Sequence, residues 1–336
     1  MTELNKIALK ILSNGKGILA ADESNGTMTK RLDAVKIPSS SENRLQFRET
    51  LFTSEAMKNC IGGVILFDET INQVTSSKKT IPEIILNTGA VPGIKVDTGA
   101  KPLANSPNET ITEGLDGLRE RLINYHKLGA RFTKWRGVYT ITKNHPSKLS
   151  IHSNAHALAR YSALAQECGM VPIVEPEILM NGDHSADECY NKTCEVIKKC
   201  FDELIAHKVD CTGIILKPNM ILAGSESKNK ISSKEVSIKT IDCLRESVPK
   251  EVPGIAFLSG GQSEIQSTEN LNQINLNNDT NFIMTYSYGR ALQQSALKFW
   301  SQDTKNNEGT QNVFNHRAKM CTLAAQGKWS KELENK

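Results

Sequence analysis

The sequence has no CxxC pair, no apolar run approaching the roughly 18 residues that span a bilayer, and no arginine-rich block. The first absence removes the common zinc and dithiol-redox spacings. The eight cysteines are scattered, and Cys189, Cys194 and Cys200 share one predicted helix at spacings that match no zinc site. They read as buried reduced thiols of a cytoplasmic protein. The second absence argues against a membrane partner. The third, with a formal net charge of only +4, argues against nucleic acid. The opening MTELNKIALKILSNGKG has no long apolar core and no cleavage motif, so it reads as a short amphipathic helix and not as a signal peptide. His152 and His156 are spaced i, i+4 but lack the glutamate of the zinc-protease helix. None of the seven histidines ends a predicted strand, and neither a metal nor another cofactor is expected.

What the sequence does have is a short apolar run followed by a helical pattern, repeated eight times. The runs are GKGILAADES (15–24), GGVILFDE (62–69), VPGIKVD (91–97), GARFTKWRG (129–137), MVPIVEPE (170–177), CTGIILKPN (211–219), GIAFLSGG (254–261) and NFIMTYSYG (281–289). Between them, ENRLQFRETLFTSEAMK, ITEGLDGLRERLINYHKLG, SNAHALARYSALAQECG and SADECYNKTCEVIKKCFDELIAHK repeat their apolar residues at three and four, the helical period. Such alternation predicts an α/β fold, a (β/α)8 TIM barrel. An open doubly wound sheet is the structural alternative. No linker divides the 336 residues, so a single domain over 1–336 is expected, with an N-terminal helix, a polar loop at 223–233 and a short frayed C-terminal tail, QGKWSKELENK.

In such a barrel, reactive groups stand at the C-terminal ends of the strands. Those ends carry Asp22, Lys95, Lys134 with Arg136, Glu175 with Glu177, Lys217 and Ser259. Because side chains alternate along a strand, Lys134 and Arg136 share a face, as do Glu175 and Glu177, and Lys95 and Asp97. One polar strand end is ordinary capping; six at once are not. Lys217 follows Ile214, Ile215 and Leu216, and Pro218 ends the strand. A free lysine has a pKa near about 10.4, so at neutral pH roughly one amine in a thousand or fewer is uncharged. An apolar wall and a neighbouring cation such as Lys134 both disfavour the ammonium form. A neutral amine adds to a ketone, and the resulting iminium is an electron sink for cleaving the adjacent C–C bond. Water must leave the carbinolamine on the way, and Glu175 or Glu177 can give the proton.

Ser259-Gly260-Gly261 ends the seventh run; Ser287-Tyr288-Gly289-Arg290 ends the eighth and opens a helix. Loops after strands 7 and 8, with a helix N-terminus, form the usual barrel phosphate site. Ser24, Thr27, Lys95 and Arg136 offer a second anion pocket opposite. Two such pockets around an amine imply a bisphosphorylated ketose.

With these residues assembled, the chain resembles the class I, Schiff-base fructose-1,6-bisphosphate aldolases. The likeness runs from GKGILAADES to AAQGKW through CIGGVILF, GIKVD, TEGLDGL, GARFTKWR, VPIVEPEIL, ILKPNM, FLSGGQSE and YGRALQ. It implies reversible, metal-independent cleavage of fructose 1,6-bisphosphate and a homotetramer. It implies Lys217 as nucleophile, Glu175 as the acid/base for carbinolamine formation and dehydration, and Glu177 as a neighbour that orients the site. Asp22 is expected at the C4 hydroxyl and Lys134 as its charge support. Ser259, Gly260, Gly289 and Arg290 are expected to hold the ketone-side phosphate. Ser24, Thr27, Lys95 and Arg136 are expected at the distal one, with Arg31 joining the substrate contacts. Three departures stand out. The sequence ends at Lys336 without the tyrosine-terminated tail of many animal members, Asp68 replaces a frequent histidine without expected catalytic effect, and Thr27 stands where serine is common.

Three rivals are weaker. One is a Schiff-base aldolase for fructose 1-phosphate or sedoheptulose bisphosphate. Another is a non-catalytic scaffold, which would not need every turnover residue in place. The third is a glycosidase using Glu175 and Glu177, which sit on one face of one strand and cannot flank a sugar bond from both sides.

Overall fold

The computed structural model describes residues 1–75 and 77–335. Eight parallel strands close into a barrel: β1 Gly17–Ala21, β2 Ile61–Leu66, β3 Val91–Lys95, β4 Phe132–Tyr139, β5 Val171–Ile178, β6 Ile215–Leu216, β7 Gly254–Phe257 and β8 Ile283–Tyr288. Each strand pairs with its chain neighbours, and β8 closes on β1. The fold is a (β/α)8 TIM barrel. All eight expected strands are present. The sixth is shorter than expected, because Cys211–Gly213 forms a 3-10 turn before it.

Alternation decides what fills the interior. Ile18, Ala20, Ile65, Val91, Phe132, Val171, Ile173, Ile215 and Ala256 form one buried inner cluster. Leu19, Ala21, Val64, Trp135, Val174, Leu216 and Tyr286 face outward against the helices. The inner cluster is completed by Ala8, Ile11 and Leu12 of the helix Glu3–Leu12, which plugs the N-terminal end of the barrel. Gly62 is required there, since a Cβ on it would sit 1.9 Å from the Ile11 carbonyl oxygen. Serine or threonine caps start most return helices, with full capping boxes at Thr80/Glu83, Ser185/Glu188 and Ser232/Glu235.

Three local expectations are corrected. The stretch 111–129 is not one helix. Thr110–Glu113 is a strand that pairs antiparallel with Gly99–Pro102, and the helix begins only at Leu118. The stretch 42–58 breaks after Phe52 and resumes at Ala56, whose N–H donates to Asn315 Oδ1 at 2.8 Å. The tail is docked, not frayed. Glu334 accepts from both Nη atoms of Arg317 (2.7 and 2.9 Å) and from the Trp329 indole (2.7 Å). Lys336 lies outside the described residues. The loop 223–233 lacks helix and strand up to Ser232, as expected. No helix among the described residues is long and apolar enough to cross a membrane. All eight cysteines are free, and seven of them are buried.

Candidate active site

The inward parity that is apolar at mid-strand turns charged at the strand ends. Asp22 follows Ala20, Lys134 follows Phe132, Glu175 follows Ile173 and Lys217 follows Ile215, each two positions on. The backbone around Lys217 is fixed on both sides. Its N–H donates to Val174 at 2.8 Å, and the Pro218 carbonyl, which can still accept, takes the N–H of Leu258 at 3.1 Å. Asn219 locks the turn by accepting from the Ile178 N–H (2.9 Å) and donating to Thr193 Oγ1 (3.2 Å). The Lys217 side chain therefore enters the cleft and is only 5% exposed.

Glu175 bridges the two buried amines. Its Oε1 lies 3.1 Å from Lys217 Nζ and its Oε2 lies 3.5 Å from Lys134 Nζ. Lys134 also meets Asp22 Oδ2 at 2.8 Å and Asp97 Oδ2 at 3.7 Å. Burial disfavours the Lys134 ammonium, but Asp22, Glu175 and Asp97 outweigh it and push its pKa well above that of ordinary lysine. Burial likewise opposes the Asp22 carboxylate, yet Lys134 and then Lys217 hold it well below the usual carboxylate range. Lys134 is thus a fixed cation and Asp22 a fixed anion. Glu177 differs. Burial pushes its carboxyl up, opposed mainly by Arg136, whose Nη1 donates to Glu177 Oε2 at 2.9 Å. The closest partner of Glu177 is therefore Arg136 and not Lys217.

Two polar flanks lie on either side. At one, Ser24 caps the helix Asn25–Asp33 and its Oγ lies 3.1 Å from Thr27 Oγ1. Lys95 pairs with Asp97 Oδ1 at 3.4 Å, and Arg31 pairs with Glu23. At the other, Gly260 (φ +56°) and Gly261 (φ +83°) turn the chain after Ser259. Gly289 precedes the helix Arg290–Trp300, which Gln293 anchors to β1 by donating to the Ala20 carbonyl at 2.8 Å.

Every site residue expected from the sequence lines this one cleft of about 540 Å³. Sequence reasoning gave no role to Asp97, which meets both Lys95 and Lys134, or to Glu23, which holds Arg31 and whose carbonyl accepts from Arg48 at 2.9 Å. The shared face of Lys95 and Asp97 was the available signal for the first; nothing local marks the second. Asp68 accepts from the Tyr125 hydroxyl at 2.8 Å and is not among the cleft residues. Buried polar atoms lacking a hydrogen-bond partner gather in the cleft, among them Ser287 Oγ, Arg31 Nη2 and Asp97 Oδ2. Such atoms are rare in folded interiors and suit a site that receives a polar ligand.

A protein-family model described as "Fructose-bisphosphate aldolase class-I" matches residues 3–336. A probable fructose-bisphosphate aldolase class 1 of Xylella fastidiosa is 48% identical over 328 residues, covering 97% of this chain and 98% of that protein. The non-muscle fructose-bisphosphate aldolase of Lethenteron camtschaticum is 49% identical over 329 residues, covering 97% of this chain and 90% of that protein. Among solved structures, the fructose-bisphosphate aldolase of Plasmodium falciparum, in a ternary complex with TRAP and a small-molecule inhibitor, superposes with a TM-score of 0.96. It is 42% identical and covers 98% of this chain and 95% of that one. A closed barrel with two buried amines bridged by one glutamate, and likeness of this extent along the whole chain, lead to one conclusion: the protein belongs to the class I fructose-bisphosphate aldolase family.

Proposed function

We propose that this lyase reversibly cleaves fructose 1,6-bisphosphate to glycerone phosphate and glyceraldehyde 3-phosphate, with Lys217 as the Schiff-base nucleophile. The observation that carries the assignment is the Lys217–Glu175–Lys134 arrangement, in which one carboxylate touches both amines. Glu175 takes a proton from the Lys217 ammonium, and the freed amine adds to the C2 ketone. Glu175 returns that proton to the carbinolamine hydroxyl, which leaves as water. The iminium then draws the electrons of the C3–C4 bond, and Glu175, again a carboxylate, accepts the proton of the C4 hydroxyl. Asp22 orients that hydroxyl, and Lys134, held cationic, offsets charge on the C4 oxygen. The aldehyde departs, the enamine is protonated, and hydrolysis releases glycerone phosphate.

Arg290, the Gly289 helix start and the Ser259–Gly260 turn receive the ketone-side phosphate. Ser24, Thr27, Lys95 and Arg136 receive the distal one, with Arg31 beside it. On this reading the substrate draws Arg136 and Lys95 away from their present carboxylate partners. Residues 1–336 act as one domain. A homotetramer working in the cytoplasm, in glycolysis and gluconeogenesis, accords with the family likeness and with eight free thiols.

Borohydride reduction in the presence of glycerone phosphate, followed by peptide mass mapping, tests the assignment. The expected result is one stable adduct on Lys217, unaffected by a chelator. Lys217→Met should give no adduct and no turnover while keeping the folded far-UV signal. An adduct on Lys134 would overturn Lys217 as the nucleophile and Lys134 as the fixed cation.

A further inference from the structure

The sequence leaves His152 and His156 without partners, but the fold supplies them from the next helix. Lys148–Glu167 links β4 to β5, and Ala186–Ala206 links β5 to β6; the two pack side by side outside the barrel. His152 and His156 are an i, i+4 pair on the first, and Glu203 and His207 are an i, i+4 pair closing the second. One ligand atom from each of His156, Glu203 and His207 lies within 4.8 Å of the other two.

The roles within the cluster are already divided. Glu203 Oε1 is held by Lys199 Nζ at 2.7 Å and faces His152 Nδ1 at 3.3 Å. Its Oε2 lies 3.3 Å from His156 Nδ1 and 4.0 Å from His207 Nδ1. His207 Nδ1 is 2.8 Å from the Glu203 carbonyl, which can only accept, so that nitrogen donates and Nε2 is the ring atom left to bind a cation. A backbone carbonyl fixing one ring nitrogen is the usual way a metal-binding imidazole is oriented. The carbonyl end of a long helix adds a favourable potential for a cation.

We propose that His156, Glu203 and His207 form a binding site for a first-row transition-metal dication of the zinc type, outside the barrel and separate from the lysine cleft. Two imidazoles and a carboxylate are a zinc-type donor set, with a fourth position left to water. Metal–ligand distances of about 2.0–2.1 Å place tetrahedral ligands roughly 3.4 Å apart. His156 Nδ1, on a ring 45% exposed, is already 3.3 Å from Glu203 Oε2, and reaching that spacing requires the His207 ring, 25% exposed, to turn its Nε2 toward the same oxygen. His152 and Lys199 stay on the other carboxylate oxygen and orient it. The ion would staple together the two helices behind the strands that carry Lys134, Glu175 and Lys217. Aldol chemistry at the lysine cleft does not pass through it.

The test uses the full chain, stripped with a chelator and titrated with zinc, with magnesium as control. The expected result is one zinc per chain and a rise in melting temperature with zinc, both absent in H156A/H207A. Glu203→Gln should weaken zinc binding by at least the roughly tenfold typical of losing even an outer-sphere partner. Turnover of stripped protein should be unchanged in H156A/H207A, which also reports that the variant folds. Cobalt(II) on the unaltered chain should show the visible bands of nitrogen and oxygen ligation. Equal zinc uptake by the unaltered chain and H156A/H207A, or thiolate-to-cobalt charge transfer, would overturn the proposal. If H156A/H207A does not fold, the cobalt spectrum decides.

Discussion

The two ends of the barrel interior use the same strands and the same alternate positions, yet they obey opposite rules. At the N-terminal end, Ile18, Phe132, Val171 and Ile215 meet Ala8, Ile11 and Leu12 in a fully apolar plug. At the C-terminal end, two residues beyond the inner layer, the same faces carry Asp22, Lys134, Glu175 and Lys217, the last three buried and Asp22 largely so. Burial without partners is what the plug is made of, whereas charge at the mouth is tolerated because each amine finds a carboxylate within 3.1 Å. Stability and reactivity are thus separated along one axis, by a distance of two or four residues per strand.

Substitutions at either end break or sharpen that contrast. The largest effect is expected at the bridge. Glu175→Gln should lower kcat by about 10²–10⁴-fold, since it removes the proton carrier between the two amines. Single-turnover kinetics and slowed borohydride trapping would register it. Next comes the plug. Ile11→Ala should cost about 2–5 kcal/mol of stability in urea melts, with kcat of the folded protein preserved. A kcat loss there would show that the ends are coupled. Arg290→Ala should weaken binding at the ketone-side phosphate by about 1.5–3 kcal/mol, seen as a raised KM with kcat nearly intact.

The smallest effect concerns acid. The Asp22 carboxyl has a folded pKa below its unfolded value of about 3.9. Its contribution is therefore complete above that pH and is lost as pH falls towards the folded value. Thermal melts between pH 7 and pH 2 should fall less steeply below about pH 4 in Asp22→Asn than in the unaltered chain. Parallel curves would remove Asp22 from the acid response of the mouth.

Much of this architecture is readable from residue order, for reasons specific to each part. The strands are short apolar runs, and parity then carries Lys217, Glu175, Lys134 and Asp22 into the cleft without further information. The strand Thr110–Glu113 escapes that logic because TITE has no apolar signature. It is held by Asn154, more than forty positions away, which accepts from the Thr112 N–H (3.1 Å) and donates to the Thr110 carbonyl (2.8 Å). The docked tail escapes it too, since Glu334 looks solvated until Arg317 and Trp329 are in place. Asp97 and Glu23 matter through side-chain pairs between elements, and His156 through a neighbouring helix. Sequence shows what a strand end carries but not which other end it meets.

The plug also bears on how the chain is made. Its helix is translated before every strand of the barrel, yet Leu12 rests against Gly254 of β7, roughly 240 residues later. At about 5–20 residues per second, that partner follows some ten to fifty seconds behind. Throughout that interval its apolar face has only part of its site to dock on, since β1 and β2 emerge early and β7 late. Nascent-chain capture by holding chaperones is accordingly expected to concentrate on the first dozen residues and to end once the seventh strand emerges.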